Sequence, residues 1–576
     1  MDRKDAHPPP GDVEKNGAFY VEDVAKAEAT SPATSGHSGP LDPDDEPKMT
    51  VRRFMPLVAM AFLWTGSQIP LYLYGAIPPY IYGDIGGVDR WIWFVLGNLL
   101  ALAAICPFVG SLSDLFGRRY TAMMGAVFLI IGNIVTSTSH TMNIFIAGMA
   151  LAGIGAGILE LTALAVTSEI APTRKRGKYN AWMILTILPF CPSVLWAQLV
   201  AHYGSWRYIG LWCAIWAFIG LALTFIFYHP PPRSNTTGLS KREILKRIDY
   251  VGGLLSISGL LLFMAGLQWG GYNYPWTSAH TLAPLLIGAA LVAAFLVWES
   301  KFAAYPMFPS SIKREPRILL LTLIITFISG ANFFSVLLFW PTQSYNSYGH
   351  EPIAVGIRNI TLGFSILAGA CVVLALLTYT RGHIRLLMLG SCIFMTAGGG
   401  GMAALRTDNI WLVYVVLTIA GFGIGGIVVP ASIITNIICP DEVIATVTAL
   451  TLAVRVLGGA IGYCIYYNVF AQKFAHAASE LILVPTAAVT LQTKDPEILT
   501  KVVDITVAGL LDMFYEFPNI TETQVQTLIH AGQETYAYAY PYVYYVSIAF
   551  GAVSIICSLF LGNIKKYMTD NVAVSM

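Results

Sequence analysis

The hydrophobic pattern of the chain consists of long apolar runs separated by short polar stretches. Fourteen runs from Phe54 onward are long enough to cross a bilayer, which takes about 20 helical residues. This pattern predicts an all-α integral membrane protein with fourteen membrane helices. The runs lie at about 56–82, 91–112, 120–138, 143–166, 179–201, 208–228, 251–270, 281–298, 318–340, 354–377, 385–402, 409–432, 443–467 and 541–562.

The polar stretches predict how the chain is divided. Residues 1–50 are rich in Pro, Asp, Glu, Lys, Gly and Ser and contain no apolar run, which is typical of a disordered tail. Most Lys and Arg residues fall on one side if both termini are cytosolic, as the positive-inside rule favours. The expected parts are a cytosolic tail 1–50, a six-helix half 51–228, a linker with two inserted helices 229–317, a second six-helix half 318–562 containing a long extracellular loop 468–540, and a cytosolic tail 563–576.

Composition narrows the function classes. Of the 576 residues, 56% are hydrophobic and only 12% are charged, whereas soluble domains carry about 25% charged residues. The net charge of +1 predicts no nucleic-acid partner. The chain contains no HExxH zinc motif and no GxxxxGK[ST] nucleotide loop. We therefore expect no enzyme activity, no metal and no cofactor, with an ion gradient as the energy source.

The junction between the second and third runs carries a dense set of charged and glycine residues. It reads Gly110-Ser-Leu-Ser-Asp114-Leu-Phe-Gly117-Arg118-Arg119. The spacing predicts a tight turn in which Asp114 and Arg118, at i and i+4 on one helical turn, form an ion pair. We expect this junction to act as a gate, although a basic turn that only fixes topology is the alternative.

Two charged residues fall deep inside membrane runs, away from the first turn of each run. A charge at bilayer depth costs about 2.5–3.5 kcal/mol on insertion scales, so each one needs a reason. Glu160 follows a small-residue run in segment 4, and Arg455 precedes another in segment 13. Both are candidates for proton coupling or substrate contact. The alternatives are a structural ion pair for Arg455 and an acid that reaches the interface for Glu160.

Three further polar residues are weaker candidates for these roles. Glu169 could pair with Arg118 or Arg119 as part of a gate, or form an ordinary interfacial salt bridge. Asp84 is expected to cap the outer end of the first helix rather than carry a proton. Gln68 is expected to line a polar cavity or to make a helix–helix hydrogen bond, and the same two readings apply to Gln198, Gln268, Asn332 and Asn436.

The junction motif Gly110–Arg119 resembles the signature loop between helices 2 and 3 of the major facilitator superfamily. Fourteen helices with this loop resemble its drug:proton antiporter branch. More of the chain resembles the fungal trichothecene efflux pump family, with siderophore transporters as close relatives. The matching segments are Asp114–Tyr120, Gly153–Gly157, Ser168–Pro172, Gly204–Tyr208, Asp249–Gly253 and Arg455–Gly459.

The resemblance implies two six-helix bundles, helices 1–6 and 9–14, with helices 7 and 8 inserted between them. It also implies a monomeric plasma-membrane transporter that uses protons to export small amphipathic compounds, such as a secondary metabolite, mycotoxin or drug. Met149 stands where drug exporters often have an arginine, and Leu188–Ser193 keeps the prolines but not the glycines of the antiporter motif. The direction of transport therefore stays open, and a siderophore-iron importer is the main alternative. A transporter-like nutrient sensor is a second alternative.

One glycosylation sequon lies far from any membrane run. Asn519-Ile520-Thr521 falls within the predicted extracellular loop. We expect Asn519 to carry the sugar, because Asn235 falls on the cytosolic side and Asn359 at the mouth of a helix.

Overall fold

The computed structural model describes residues 51–230, 249–270, 274–303, 314–380, 383–406, 409–440, 443–518 and 520–568, except for the side chains of residues 51–53, 111, 114, 115 and 512. Within these residues, fourteen helices are long and apolar enough to cross a membrane, which confirms the predicted number. They are α1 (Val51–Tyr74), α2 (Ile92–Phe116), α3 (Arg118–Ser137), α4 (Met142–Ile170), α5 (Thr173–Tyr203), α6 (Arg207–Phe227), α7 (Tyr250–Trp269), α8 (Ala279–Lys301), α9 (Pro316–Tyr348), α10 (Pro352–Tyr379), α11 (Ile384–Gly401), α12 (Ile410–Ile438), α13 (Ile444–His476) and α14 (Glu522–Leu559).

The helices form two groups of six and a separate pair. Helices α1 to α6 pack on one another, α9 to α14 pack on one another, and α7 pairs with α8 beside α2 and α13. The two groups meet mainly where α2 lies along α13 and α5 lies along α10. This arrangement confirms the expected two six-helix bundles with two inserted helices.

Helices α5 and α10 contact each other at glycine residues, where no side chain separates the two main chains. A Cβ atom at Gly177 of α5 would lie 2.7 Å from the main-chain oxygen of Leu374, and one at Gly356 of α10 would lie 2.7 Å from the Cα of Leu195. A Cβ at Gly363 would overlap the carbonyl of Cys191. Small residues allow helix backbones to approach closely in this way. We call the contact through Gly177, Gly356 and Gly363 the glycine seam.

The junction between α2 and α3 is a single residue rather than a turn of ten. Helix α2 continues to Phe116, Gly117 has a φ of 90°, and α3 begins at Arg118. A positive φ suits glycine because it lacks a Cβ. Gly117 therefore interrupts the single helical turn that was predicted from Asp114 to Arg118, and the ion pair between these residues stays a prediction. The side chain of Asp114 lies outside the described part of the structure.

Prolines interrupt two of the predicted helices. The first run, expected at 56–82, ends as a membrane helix at Tyr74, and a separate short helix covers Pro78–Ile85. Helix α5 is broken between Arg176–Ile184 and Ser193–Tyr203 by a 3-10 turn at Leu185–Phe190. Pro78 begins the short helix, and Pro189 lies in the 3-10 turn; proline lacks the N–H that an α-helix needs in its interior, which favours a break at these positions.

The segment expected as a long loop at 468–540 is largely helical. Helix α13 extends to His476 and is followed by a π-turn and by helices Leu483–Thr490 and Pro496–Ala508. Helix α14 begins at Glu522 rather than near 541, because Thr521 and Gln524 form a capping box. Tyr536 and Tyr540 then bury their rings against Phe470. These aromatic residues anchor the helix where hydropathy alone detects no membrane segment.

Candidate functional site

A cavity lies between the two six-helix groups. The volume of the cavity is about 860 Å³, including the part that is open to solvent. Most of its walls are apolar, with a few polar side chains, which is the usual character of a small-molecule site. Its lining residues come from seven helices and include Trp64, Gln68, Tyr72, Glu160, Phe190, Cys191, Ser193, Phe333, Leu337, Asn359, Ile366, Val428 and Arg455.

Glu160 and Arg455 meet inside this cavity. Arg455 Nη2 on α13 donates a hydrogen bond to Glu160 Oε1 on α4 over 2.5 Å. Only 2% of Glu160 and 3% of Arg455 are exposed. A buried charge left alone is strongly unfavourable, so each side chain stabilises the charge of the other. The contact joins the two six-helix groups across the cavity. The functional role of the two residues remains a prediction.

One face of α1 supplies further polar groups. Trp64, Gln68 and Tyr72 are spaced four residues apart and therefore share a helix face, and all three line the cavity. The Tyr72 hydroxyl donates to Gln68 Oε1 at 2.9 Å, and Gln68 Nε2 donates to Ser67 Oγ at 2.9 Å. Of the five amides predicted to lie inside membrane runs, Gln68 is the one that lines the cavity.

The other four amides predicted inside membrane runs hydrogen-bond between helical segments instead. Gln198 donates to the main chain of Ala76, and Gln268 accepts from Cys464. Asn332 accepts from Tyr466, and Asn436 accepts from Thr448. These four amides therefore make structural hydrogen bonds and do not line the cavity.

We use the term basic face for the side of the bundle where α1 begins and Gly117 joins α2 to α3. At this face, Arg118 Nη2 donates to Glu169 Oε1 at 2.6 Å, and Arg118 Nη1 donates to Ser113 Oγ at 2.5 Å. Both residues are at least 96% buried. Arg119 instead donates to the main-chain oxygen of Phe225 at 2.7 Å. The Arg118–Glu169 ion pair joins α3 to α4 within the first six-helix group.

Gly110 lies near the same face, on the contact between the two groups. A Cβ at Gly110 would lie 3.3 Å from the Cα of Thr446 on α13. A larger residue would therefore push α2 away from α13. Of the motif glycines, Gly110 provides close packing and Gly117 provides the turn.

Arg176 is a residue that the sequence analysis missed. Its side chain is completely buried; Nε donates to the Ser168 carbonyl at 2.9 Å and Nη1 to the Asn436 carbonyl at 2.7 Å. The second bond joins α5 of the first group to α12 of the second. In the sequence, Arg176 is one of several basic residues between 174 and 178, and charge counting cannot distinguish a buried member of this set from its exposed neighbours.

Asp84 lies at the opposite face, outside the cavity lining. Its carboxylate accepts hydrogen bonds from Arg207 and, at 3.0 Å, from Trp206 Nε1. The Arg207 guanidinium also stacks on the Trp206 ring, 4.3 Å from its centroid. The hydrogen bond from Arg207 lowers the pKa of Asp84. Asn519, the predicted glycosylation site, lies outside the described residues.

The chain is similar to known transporters over most of its length. A model of the fungal trichothecene efflux pump family matches residues 67–576. The trichothecene efflux pump TRI12 of Fusarium sporotrichioides is 26% identical, with 90% of this chain and 86% of that protein covered. The MFS-type transporter gkaD of Penicillium citrinum is 27% identical, with 91% and 87% covered.

The fold is also similar to that of a solved transporter. A crystal structure of a double-tryptophan mutant of XylE superposes with a TM-score of 0.51 at 14% identity, covering 89% of this chain and 98% of that one. At this identity the likeness concerns the fold alone. With the family match across residues 67–576, the chain belongs to the fungal trichothecene efflux pump family, within the major facilitator transporters.

Proposed function

We propose that the protein is a proton-coupled exporter of small amphipathic organic compounds in the plasma membrane, with its basic face in the cytosol. The observation that carries this proposal is the Glu160–Arg455 ion pair, which lies inside an apolar cavity and joins the two six-helix groups. Membership of an efflux-pump family supports the direction of transport. No cofactor is required in this scheme, because the proton gradient supplies the energy.

Glu160 is the proposed proton carrier. A proton arriving from outside would bind Glu160 Oε1 and neutralise the carboxylate, which removes the charge that Arg455 pairs with. The ion pair then no longer joins α4 to α13, and the relative stability of the two orientations of the groups changes. Release of the proton towards the cytosol restores the pair. Because the pair lies in the cavity wall, substrate binding and proton binding are coupled.

Two polar contacts at the basic face have different roles. The Arg118–Glu169 pair lies within one six-helix group, so it can remain intact while the groups move as rigid bodies. The hydrogen bond from Arg176 to Asn436 spans both groups and must break when the basic face opens. We therefore assign Arg118 and Glu169 to rigidity of the gate and Arg176 to its closure.

The test is transport by the purified chain in liposomes under an imposed pH gradient, with a radiolabelled trichothecene as the probe. Accumulation opposite to the proton flow, abolished by a protonophore and absent from protein-free liposomes, is the expected result. Movement in the same direction as the protons, or accumulation of a labelled ferric siderophore instead, would indicate an importer. Equilibration that ignores the pH gradient would indicate a facilitator.

A further inference from the structure

A turn in the chain between α13 and α14 lies at the face opposite the basic face. The helix Pro496–Ala508 ends there at Gly509, whose φ of 65° falls in the left-handed region that glycine adopts without strain. The main-chain N–H of Gly509 donates to the Thr506 carbonyl at 3.1 Å, which closes the end of the helix. Leu510 follows, and 37% of it is exposed. We call Gly509 and Leu510 the outer turn.

The outer turn lies between the two six-helix groups. A Cβ on Gly509 would lie 3.8 Å from the hydroxyl oxygen of Tyr82, in the short helix that follows α1. A Cβ on the next residue of that helix, Gly83, would lie 3.9 Å from Leu510 Cδ2. In the second group, the Cβ on Gly509 would lie 3.5 Å from Cε1 of Tyr345 on α9. A side chain as small as a methyl group would thus be in van der Waals contact at these positions, so the outer turn packs beside both groups.

Hydrogen bonds tie the segment that carries the outer turn to the second group. The Tyr536 hydroxyl on α14 donates to the Thr506 carbonyl at 3.2 Å. Gln524 Nε2, also on α14, donates to the Thr490 carbonyl at 2.8 Å. Val502, in the helix before the outer turn, is completely buried. Because these contacts lie within the second group, we expect the segment to move with that group as one rigid body.

Helices α1 and α9 also contact each other between the cavity and the outer turn. The rings of Tyr72 and Phe333, which both line the cavity, meet edge to face with their centroids 6.3 Å apart. One turn further along the chain, a Cβ on Gly75 would lie 2.7 Å from Leu338 Cδ2 on α9. Opening the cavity towards this face therefore requires the end of α1 to move away from α9.

We propose that the outer turn is a latch that holds the face opposite the basic face closed. The segment stays with the second group, so its contact with Tyr82 and Gly83 must break when α1 moves away from α9. The contact is made by packing of two residues, so it can break and form again in each cycle without loss of an ion pair. The latch rests on the proposed transporter function only because it takes the two groups as moving bodies. It depends on neither export nor proton coupling.

The first test measures opening of the cavity without any substrate. Cys191 lines the cavity and is 7% exposed, so it reports opening when it is the only cysteine of the full chain in lipid nanodiscs. Leu510→Ala weakens the latch, and a small polar thiol reagent should then modify Cys191 about threefold faster or more. Val489→Ala is the matched control, because Val489 is 79% exposed on the same segment. Equal rates in Leu510→Ala and the parent protein overturn the latch, and so does an equal rise in the control.

The second test locks the latch with a short bifunctional thiol reagent, in a chain whose native cysteines are replaced by serine. Gly83→Cys with Leu510→Cys places one thiol on each side of the contact. Gly532→Cys with Thr506→Cys is the control pair within the second group, where a Cβ on Gly532 would lie 3.0 Å from Thr506 Cγ2. Both pairs should cross-link. Cross-linking of the first pair should stop uptake of the radiolabelled trichothecene into liposomes, and reduction should restore it, whereas the control pair should transport in both states.

The outcomes separate the latch from the proposed function. Continued transport by the cross-linked Gly83–Leu510 pair, or failure of that pair to cross-link, overturns the latch. Loss of transport in the cross-linked control pair overturns it too, because the segment would then have to move relative to the second group. If the unlinked proteins transport nothing, the proposed function fails instead, and the modification rates of Cys191 alone decide whether the latch exists.

Discussion

Arg176 on α5 hydrogen-bonds to the main-chain oxygen of Asn436 on α12, across the boundary between the two six-helix groups, at 2.7 Å. Asn436 also approaches Ser168 of the first group, with Nδ2 at 3.5 Å from Oγ. Main-chain and side-chain atoms of Asn436 therefore both face the first group. The residue that makes this contact between the groups looks like an ordinary loop arginine in the sequence.

The first prediction concerns this contact. Arg176→Gln removes a charged hydrogen-bond donor, and such bonds contribute about 1.5–3 kcal/mol, so the open population of the basic face should rise about tenfold or more. Cys371 on α10 contacts the main chain of Ala181 on α5 and should react faster with a small thiol reagent when other cysteines are replaced. Lys178→Gln removes an exposed charge from the same segment and is the control. Equal reactivity of Cys371 in both variants would argue against a closing role for Arg176.

The second prediction concerns proton coupling. Glu160→Gln keeps the size of the side chain but cannot change charge, so transport should lose its dependence on the pH gradient. The change also leaves Arg455 buried without its partner, which costs about 3–5 kcal/mol, so the amount of folded protein should fall. The double variant Glu160→Gln with Arg455→Gln should restore folded protein, measured by size-exclusion chromatography, but not coupling. Retained pH-driven accumulation in either variant shows that Glu160 is structural.

The third prediction concerns the Arg118–Glu169 pair. Arg118→Ala strands a buried carboxylate, and we expect it to reduce folded protein by the same mechanism, with a loss of about 3–5 kcal/mol. Changing Arg118 and Glu169 both to glutamine should recover folding while transport stays low, because the α3–α4 connection loses its charge. Arg119→Ala removes the bond of a half-buried arginine to the main-chain oxygen of Phe225 but takes no ion-pair partner from Glu169, so it should affect both measurements less. Normal transport in the double glutamine variant contradicts the gate assignment.

The fourth prediction concerns pH and Asp84. The hydrogen bond from Arg207 lowers the pKa of Asp84 below its ordinary value of 3.8, so the folded state favours the ionised form. The stabilisation is fully present above the ordinary pKa and is lost as the pH falls through the lowered one. The pair is partly exposed, so Asp84→Asn should cost less than about 1 kcal/mol at pH 7. The melting temperatures of the wild type and of Asp84→Asn should become equal as the pH is lowered from 7 to 3. A difference that stays constant over this range would show that the ionised carboxylate of Asp84 is not its cause.

The fifth prediction concerns topology. If the basic face is cytosolic, Asn519 lies on the outer side and should be glycosylated, while Asn235 should not. Thr521 of this sequon is exposed and begins α14 as its N-cap. A gel shift on enzymatic deglycosylation should disappear in Asn519→Gln and persist in Asn235→Gln. The reverse result would invert the orientation.

Hydropathy predicted the number of helices, because an apolar run long enough to cross a bilayer must form a helix there. The grouping of the helices into two bundles and a pair came from the family resemblance. Hydropathy failed at α14, where tyrosines and a capping box extend the helix through a polar segment. The two intramembrane charges, Glu160 and Arg455, were predicted as candidates individually, because each is costly alone. Their pairing over 295 positions was only one of several options, since it depends on how the two six-helix groups pack.

Residues outside the charge pattern were harder to predict. Trp64 and Asn359 resemble any aromatic or amide residue in a membrane helix, and only the packed structure shows that they line the cavity. The sequence likewise gives no sign that Arg176 is buried, because other basic residues lie beside it. The i, i+4 rule assumes one unbroken helix from Asp114 to Arg118, whereas Gly117 ends the first helix between them.

The glycine seam also affects how freely the two groups can change their relative angle. If large side chains interdigitated at this contact, many of them would have to change rotamer whenever the angle between the two groups changed. Such rotamer changes cost energy and entropy. Gly177, Gly356 and Gly363 present smooth main-chain surfaces instead, so rotation along this line disturbs few rotamers. The seam therefore lowers the energy barrier to a change of angle between the two groups. Added methyl groups at these three glycines would raise that barrier.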